Sequence, residues 1–233
     1  MDFHPQKCSV LRVTRAKSPL RANYILKGIT LAEEQKSKYL GVDLQSDLGW
    51  KQHIDKITKK ANNMLGFLKR NLRNTSCETK TNAYISLVRS NLEYCCTVWN
   101  PHRKNLIHKV EMVQRRAARF TTNRYHNTSS VSDMLHNLQW ETLETRRKKL
   151  QLTMLYKIIH QLVEIDPGPF LTPTKPRPRS PHNTRFLPYS TSTDVMKFSF
   201  FPRCIPLWNN LPASVAEAHS LASFKNELSH LTF

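Results

Sequence analysis

The sequence predicts an α+β protein that is mostly α-helical. β-forming stretches are confined to the N-terminal region, apolar residues recur at helical spacing from Trp50 onward, and seven of the thirteen prolines fall between Pro167 and Pro188. We therefore expect four parts: a small antiparallel β element at 1–48, a helical bundle at 49–165, a proline-rich basic connector at 166–192, and a C-terminal aromatic segment and helix at 193–233.

Three short stretches near the N-terminus have the composition of β-strands: "CSVLRVT" (8–14), "YILKGITL" (24–31) and "KYLGVDL" (38–44). Lys27-Gly28 interrupts the second stretch and predicts a two-residue hairpin turn. So few strands cannot bury a sheet face by themselves. We therefore expect open strand edges, which favour self-association of the chain.

The first two predicted helices follow this β element. Apolar residues at helical spacing predict the first helix, with Ile54, Ile57, Ala61, Leu65 and Leu68 on its buried face. A capping box at 75–78, with Thr75 as the N-cap, begins the second helix. This helix is expected to end before Pro101, because proline disrupts the helical hydrogen-bond ladder.

Three more helices complete the predicted bundle. "VEMVQRRAARF" (110–120) belongs to the third helix, whose apolar stripe consists of Leu106, Val110, Val113, Ala117 and Phe120. A shorter helix is predicted within 129–140, and Thr142 is expected to cap a fifth helix that ends near Val163.

The remaining chain begins with the proline-rich connector. Its "TPTKPRPRSP" stretch predicts an extended, polyproline-like segment that does not pack. The following "FSFFPRCIPLWNNLP" (198–212) is apolar enough to dock onto the helices, and "SLASFKNELSHL" (220–231) predicts a closing amphipathic helix.

The charge of the chain indicates a polyanionic partner. Thirty-six Lys and Arg against seventeen Asp and Glu give a formal net charge of +19 and a pI near 10. Cations that neutralise phosphates release condensed counterions, which favours nucleic-acid binding. The alternative is a basic surface that only keeps the protein soluble, because net charge alone carries no specificity.

Other features of the sequence bear on its location. No apolar run reaches about 18 residues, so no transmembrane helix and no membrane partner are expected. The first ten residues lack the apolar region of a signal peptide. The five cysteines are therefore interpreted as reduced thiols, and we expect an intracellular protein, nuclear or cytoplasmic.

The sequence contains no pattern typical of a catalytic site. The seven aspartates are scattered singly, whereas a two-metal phosphoryl-transfer site needs convergent carboxylates. Phosphate-binding glycine loops and common hydrolase motifs are also missing from the sequence. Cys95, Cys96, His102 and His108 could suggest zinc, but adjacent thiols rarely bind one ion, so we interpret the cysteines as core residues and expect no metal or cofactor.

Basic residues recur on three predicted helices. Arg115 and Arg119 lie one turn apart and well off the apolar stripe of the third helix. One such helix fits either a solvated face or a contact with phosphates; repetition with few compensating acids favours phosphate contact. The predicted nucleic-acid-binding residues are Lys59, Lys60, Lys69, Arg70, Arg73, Lys109, Arg115, Arg116, Arg119, Arg146 and Arg147.

Several blocks, in order, resemble the C-terminal part of non-LTR (LINE-type, jockey-like) retrotransposon reverse transcriptases. They are "FHPQKCSVLRVTR", "YLGVDLQSDLGWKQHIDKITKKANNMLGFLKRNL", "LVRSNLEYCCTVWNPH", "VEMVQRRAARF" and "KFSFFPRCIPLWNNLP". The resemblance covers nearly the whole chain. It implies the end of the polymerase palm, a thumb-like helical bundle and the region beyond, with RNA or an RNA–DNA template–primer duplex as partner.

The resemblance also implies roles for individual residues. Lys7 in "HPQKC" takes the place of a lysine near the incoming nucleotide, with His4 where the family more often has Asn. Tyr39, Leu40 and Gly41 in "KYLGV" match the turn that supports the primer terminus. The family's paired catalytic aspartates, which bind Mg²⁺ in the intact polymerase, match no position here, so no catalysis is expected from this chain alone.

Met1 lies where the family often has an internal methionine. This favours a truncated retrotransposon polymerase that binds nucleic acid without catalysing a reaction. The alternatives are a genomic relic without a selected function, a domesticated nucleic-acid-binding or protein-interaction module, and an enzyme whose upstream sequence is missing from the chain.

Overall fold

The computed structural model describes residues 3–14, 16–126, 128–175 and 181–233. Met1, which the comparison with an internal methionine of the family concerns, and the middle of the proline-rich stretch lie outside the described residues. The chain forms two compact units, Met1–Lys60 and Ala61–Phe233. Helices hold 51% of the residues and strands 9%, which confirms the predicted mostly α-helical α+β class.

The described residues of the first unit form a 3₁₀ turn, Pro5–Lys7, and six short strands. The strands are β1 (Ser9–Leu11), β2 (Ile25–Leu26), β3 (Ile29–Thr30), β4 (Ala32–Glu34), β5 (Lys36–Tyr39) and β6 (Val42–Gln45). They pair two by two: β2–β3 and β5–β6 are antiparallel, as predicted, whereas β1 and β4 pair in parallel. Each sheet is therefore too small to bury a face without help from neighbouring segments.

The β2–β3 hairpin agrees with the sequence prediction, whereas the β5–β6 hairpin replaces a predicted single strand. Lys27 and Gly28 both have positive φ, as a two-residue turn of type I′ requires, which confirms the β2–β3 hairpin. "KYLGVDL" is not a single strand, because Leu40 (φ 44°) and Gly41 (φ 89°) reverse the chain between β5 and β6. The apolar Leu40 concealed this turn, since leucine rarely adopts a left-handed backbone.

A buried carboxylate connects the β5–β6 hairpin to the first helix, α1 (Lys51–Asn71). Asp43 is 0% exposed and forms ion pairs with Lys56 at 2.8 Å and Lys36 at 3.1 Å. Its backbone N–H donates to Nδ1 of His53 at 3.2 Å. Burial raises the pKa of Asp43, but the hydrogen bonds from both lysines outweigh it and hold this pKa below its ordinary value. The Met1–Lys60 unit is thus organised around one ionised side chain.

The second predicted helix is divided into several pieces. They are α2 (Cys77–Ala83), a π-helical segment (Tyr84–Arg89), α3 (Ser90–Glu93) and, after Cys95 in a left-handed conformation, α4 (Cys96–Trp99). Ser76, not Thr75, is the N-cap of α2, because its side-chain oxygen accepts the Thr79 N–H. The Thr75 hydroxyl instead donates to the Leu72 carbonyl. The predicted capping box was therefore placed one residue too early.

The third, fourth and fifth predicted helices are confirmed as α5 (Lys104–Thr122), α6 (Val131–Asn137) and α7 (Leu143–Ile159), with α7 shorter than expected. Thr142 caps α7 as predicted. The Glu111 carboxylate of α5 also accepts the first two N–H groups of α7, from Leu143 at 3.2 Å and Glu144 at 2.7 Å. This second cap fixes α7 against α5, and the sequence pattern gave no sign of it.

The C-terminal region contains α8 (Asp194–Lys197), α9 (Phe200–Asn209), α10 (Ala213–Ala216) and α11 (Leu221–Ser229), of which α9 and α11 pack against α7. Its core includes Trp208 and Phe224, which confirms the docking segment and the closing helix. The expectation that the connector does not pack is wrong at Leu171 and Phe186, whereas most of its other described residues are exposed. Leu171 and Phe186 join this core, and the Asn209 side chain bonds both backbone groups of Phe186.

Candidate nucleic-acid interface

Six of the predicted phosphate-binding residues belong to the ends of two helices in the Ala61–Phe233 unit. Lys69 and Arg70 lie in the last turn of α1 and Arg73 follows it. Arg115, Arg116 and Arg119 lie on α5. We call this set the basic surface: Lys69, Arg70, Arg73, Arg115, Arg116 and Arg119.

The buried face of α5 determines where its arginines point. Val110, Val113, Ala117 and Phe120 are buried, as predicted. Gln114, Ala118 and Thr121 are buried too, so the packed face is wider than the apolar stripe alone indicates. Arg116 is left exposed, and Arg115 and Arg119 are partly exposed. Long basic side chains at such positions can cover apolar surface with their stems while their charged ends reach solvent.

Arg116 joins the two helices that carry the basic surface. Its Nη1 donates a hydrogen bond to Oδ1 of Asn62, on α1, at 3.1 Å. Lys69 lies about two turns further along α1 and is close enough to interact electrostatically with the same guanidinium. Burial lowers the pKa of Lys69, and the like charge of Arg116 lowers it further. The fold thus brings cations from two helices together despite their mutual repulsion.

Nothing within the described ranges neutralises the basic surface. None of its six cations forms an ion pair with a carboxylate in the part of the chain that the structure describes. Part of their placement has a structural explanation, because cations in the last turn of a helix interact favourably with its dipole. That explanation fits Lys69, Arg70 and Arg119, but it does not account for Arg115 or Arg116. An uncompensated cluster of this kind favours a polyanionic ligand.

Three further predicted residues are exposed outside this set. Lys59 and Lys60 lie on α1 in the Met1–Lys60 unit, and Lys109 lies on α5. Their role in binding phosphates stays a prediction.

The prediction that Arg147 contacts phosphates is wrong, because its side chain is 0% exposed. Its Nε donates to Oδ1 of Asn100 at 3.0 Å, and burial lowers its pKa. Arg147 follows the buried Leu143 by four residues and precedes the buried Gln151 by four, so all three share one helix face. Since Arg147 and Gln151 are both polar, no apolar pattern in the sequence marked this face as buried.

Arg146 is not available as a free cation either. Its guanidinium forms a two-pronged ion pair with the carboxylate of Glu93, from Nε and from Nη2 at 3.0 Å. The hydrogen bonds to Glu93 raise the pKa of Arg146. Since this carboxylate already satisfies the charge, Arg146 is a poor candidate for phosphate binding.

The residues to which the resemblance assigns polymerase roles all lie in the first unit. Lys7 is exposed and ends the 3₁₀ turn, Pro5–Lys7. Tyr39 ends β5, and Leu40 and Gly41 form the exposed turn of the β5–β6 hairpin. A turn is the structure expected there, and the proposed roles at a nucleotide and a primer terminus stay predictions.

The four residues considered as zinc ligands differ in their burial and contacts. Burial raises the pKa of Cys96 to about 12, as befits a core thiol, whereas His102 stacks on Phe198 with ring centres 4.0 Å apart. His108 is exposed and Cys95 is half-buried. Within the described residues, no group of three or more His, Cys, Asp or Glu side chains could hold a metal ion, and no helix there is long and apolar enough to cross a membrane.

A groove of about 470 Å³ that the sequence did not predict runs between the 93–97 segment, α7 and α11. Two of its cations are compensated, because Arg146 pairs with Glu93 and Lys149 pairs with Glu141. The Lys149 ammonium also donates to the Ser229 carbonyl at 2.8 Å, which connects α7 to α11. Its ion pairs therefore serve mainly to hold the second unit together.

The chain matches no model of a known protein family, and comparison with curated proteins and with solved structures finds none that is similar. The resemblance to non-LTR reverse transcriptases therefore depends on the sequence blocks quoted above.

Proposed function

We propose that the chain binds RNA or an RNA–DNA template–primer duplex through the basic surface. On this proposal it acts as the palm end, thumb and following region of a polymerase similar to those of non-LTR retrotransposons. The observation that carries the proposal is the meeting of uncompensated cations from α1 and α5, where Arg116 bonds Asn62 and depresses the pKa of Lys69. Its residues bind; they do not catalyse.

The spacing of these cations suits a phosphate backbone. Arg115 and Arg119 are one helical turn apart, which is about 6 Å along α5, so their long side chains can reach phosphates of the same strand. Helices that present arginines in this way hold the backbone without reading bases. We therefore expect tight, salt-dependent binding with little sequence preference.

Binding of a labelled RNA–DNA duplex at two salt concentrations tests this proposal. If the six cations of the basic surface each neutralise one phosphate, the affinity falls about a thousandfold between 50 and 200 mM salt. A duplex analogue with an uncharged backbone is the control and is expected not to bind. No detectable binding at low salt, or an affinity that salt leaves unchanged, would contradict the proposal.

A further inference from the structure

The segment after α5 places an exposed aromatic ring beside the basic surface. Asn123 ends the helix in the left-handed conformation, with φ of 55°. Arg124, Tyr125 and His126 follow and are all exposed. Tyr125 exposes 53% of its surface although it is a large aromatic residue. An exposed ring next to cations is the arrangement by which proteins stack unpaired bases.

Two hydrogen bonds hold this segment against the end of α5. The Arg124 N–H donates to the Arg119 carbonyl at 3.2 Å, and Nη1 of Arg119 donates to the His126 carbonyl at 3.3 Å. The backbone on both sides of Tyr125 is thus tied to a residue of the basic surface. Within the described residues, no hydrogen bond or ring contact occupies the Tyr125 side chain.

The charge around Tyr125 favours an anionic ligand. Arg119 and Arg124 flank it and form no ion pair with a carboxylate in the described ranges. A phosphate backbone held by these arginines would pass close to the segment that carries Tyr125. A blunt duplex offers no base face there except at its end, whereas a single strand offers one at every nucleotide.

We propose that Tyr125 stacks on an unpaired base, so that the chain prefers a duplex that continues into a single strand over a blunt duplex. This inference rests on the proposed function, because the basic surface must first hold the backbone. It adds a distinct site, a distinct ligand chemistry and a distinct preference.

The test measures dissociation constants for a blunt duplex and for the same duplex with a single-stranded extension. Wild type is expected to prefer the extended duplex. Tyr125→Ala is expected to weaken binding of the extended duplex by about 5- to 150-fold, the effect of losing one stacked base, and to leave the blunt duplex unchanged. Tyr125→Phe keeps the ring and is expected to keep the preference.

Tyr94→Ala is the matched control, since Tyr94 is 55% exposed and lies on the segment after α3. Because Tyr125 is exposed, its replacement is expected to leave the circular dichroism spectrum unchanged. The inference is overturned if Tyr125→Ala affects both ligands equally or neither. Failure of the proposed function gives a different result: substituting Arg115, Arg116 and Arg119 then leaves binding of the blunt duplex intact.

Discussion

Arg116 and Arg147 are both arginines on amphipathic helices, yet their surroundings give them opposite roles. Arg116 is exposed and meets Lys69 and Asn62 at the basic surface. Arg147, on α7, is fully buried in the core, and its side chain donates a hydrogen bond to Asn100, which follows α4. Residue type and charge do not separate these cases; position relative to the buried helix face does.

This contrast gives the first prediction. Arg147→Ala is expected to lower the free energy of unfolding of the second unit by about 2–4 kcal/mol, because it removes a large packed side chain and leaves Asn100 without its donor. Its dissociation constant for duplex is expected to stay unchanged. Denaturant unfolding followed by fluorescence of the buried Trp99, Trp140 and Trp208, together with duplex titration, measures both quantities.

Arg116→Ala is the matched comparison for that prediction. It is expected to weaken duplex binding while costing less than about 1 kcal/mol of stability, since its side chain is exposed. An Arg147 variant that remains as stable as wild type but binds duplex more weakly would contradict the assignment of Arg147 to the core.

At the scale of elements, pH can break one of the hydrogen bonds between the β5–β6 hairpin and the start of α1. The Asp43 N–H donates to Nδ1 of His53, so protonation of that nitrogen removes the acceptor. Burial lowers the pKa of His53. The charge of Asp43 raises this pKa, and the charges of Lys56 and Lys36 lower it. The resulting pKa lies below the ordinary 6.5. The unfolded segment therefore takes up a proton at a higher pH than the folded one.

We expect this hairpin to lose stability as the pH falls below about 6.5, and to go on losing it until the pH has passed the lower pKa of His53 in the folded state. The loss grows again well below pH 4, where Asp43, whose pKa lies below its ordinary 3.8, becomes protonated. Hydrogen exchange of residues 36–45, corrected for the intrinsic pH dependence of exchange, measures it. His53→Gln, which keeps a hydrogen-bond acceptor, is expected to flatten the profile between pH 5 and 7; an unchanged profile would contradict the role of His53.

The elements that the sequence predicted well are those with strong periodicity. Apolar residues at helical spacing located α1, α5 and α7, and a β-turn pair located the β2–β3 hairpin. The errors arose where tertiary packing overrides local pattern. Leu40 adopts a turn conformation, and Phe186 of the connector is buried, with both of its backbone groups bonded to the side chain of Asn209.

The sequence predicted that basic residues form the candidate site, but it did not predict which of them come together there. Sequence spacing placed Arg115 and Arg119 well off the apolar stripe of α5, and the structure leaves both partly exposed and Arg116 exposed. It could not show that α1 and α5 meet at the hydrogen bond between Asn62 and Arg116, because such contacts depend on how helices pack. Nor could it show that Glu93 compensates Arg146, since the two residues are far apart in the chain.

At the scale of the whole molecule, the central question is whether the charge of +19 serves binding or only solubility. If the positive charge serves only solubility, it is spread over the whole protein. Removing any three exposed cations would then have the same effect on duplex binding. A phosphate-binding surface depends on particular cations. The basic surface, with its uncompensated charges on α1 and α5, favours the second interpretation.

The most direct test compares two variants that lose the same charge. Arg115, Arg116 and Arg119 are replaced by Gln in one, and Lys157, Lys175 and Lys225, which lie on other segments of the second unit, in the other. The slope of log affinity for duplex against log salt concentration is measured for both. We expect the arginine variant to lose about 3 of a wild-type slope of about 5, and the lysine variant to keep it. Equal slopes in wild type and the arginine variant would contradict the proposed function.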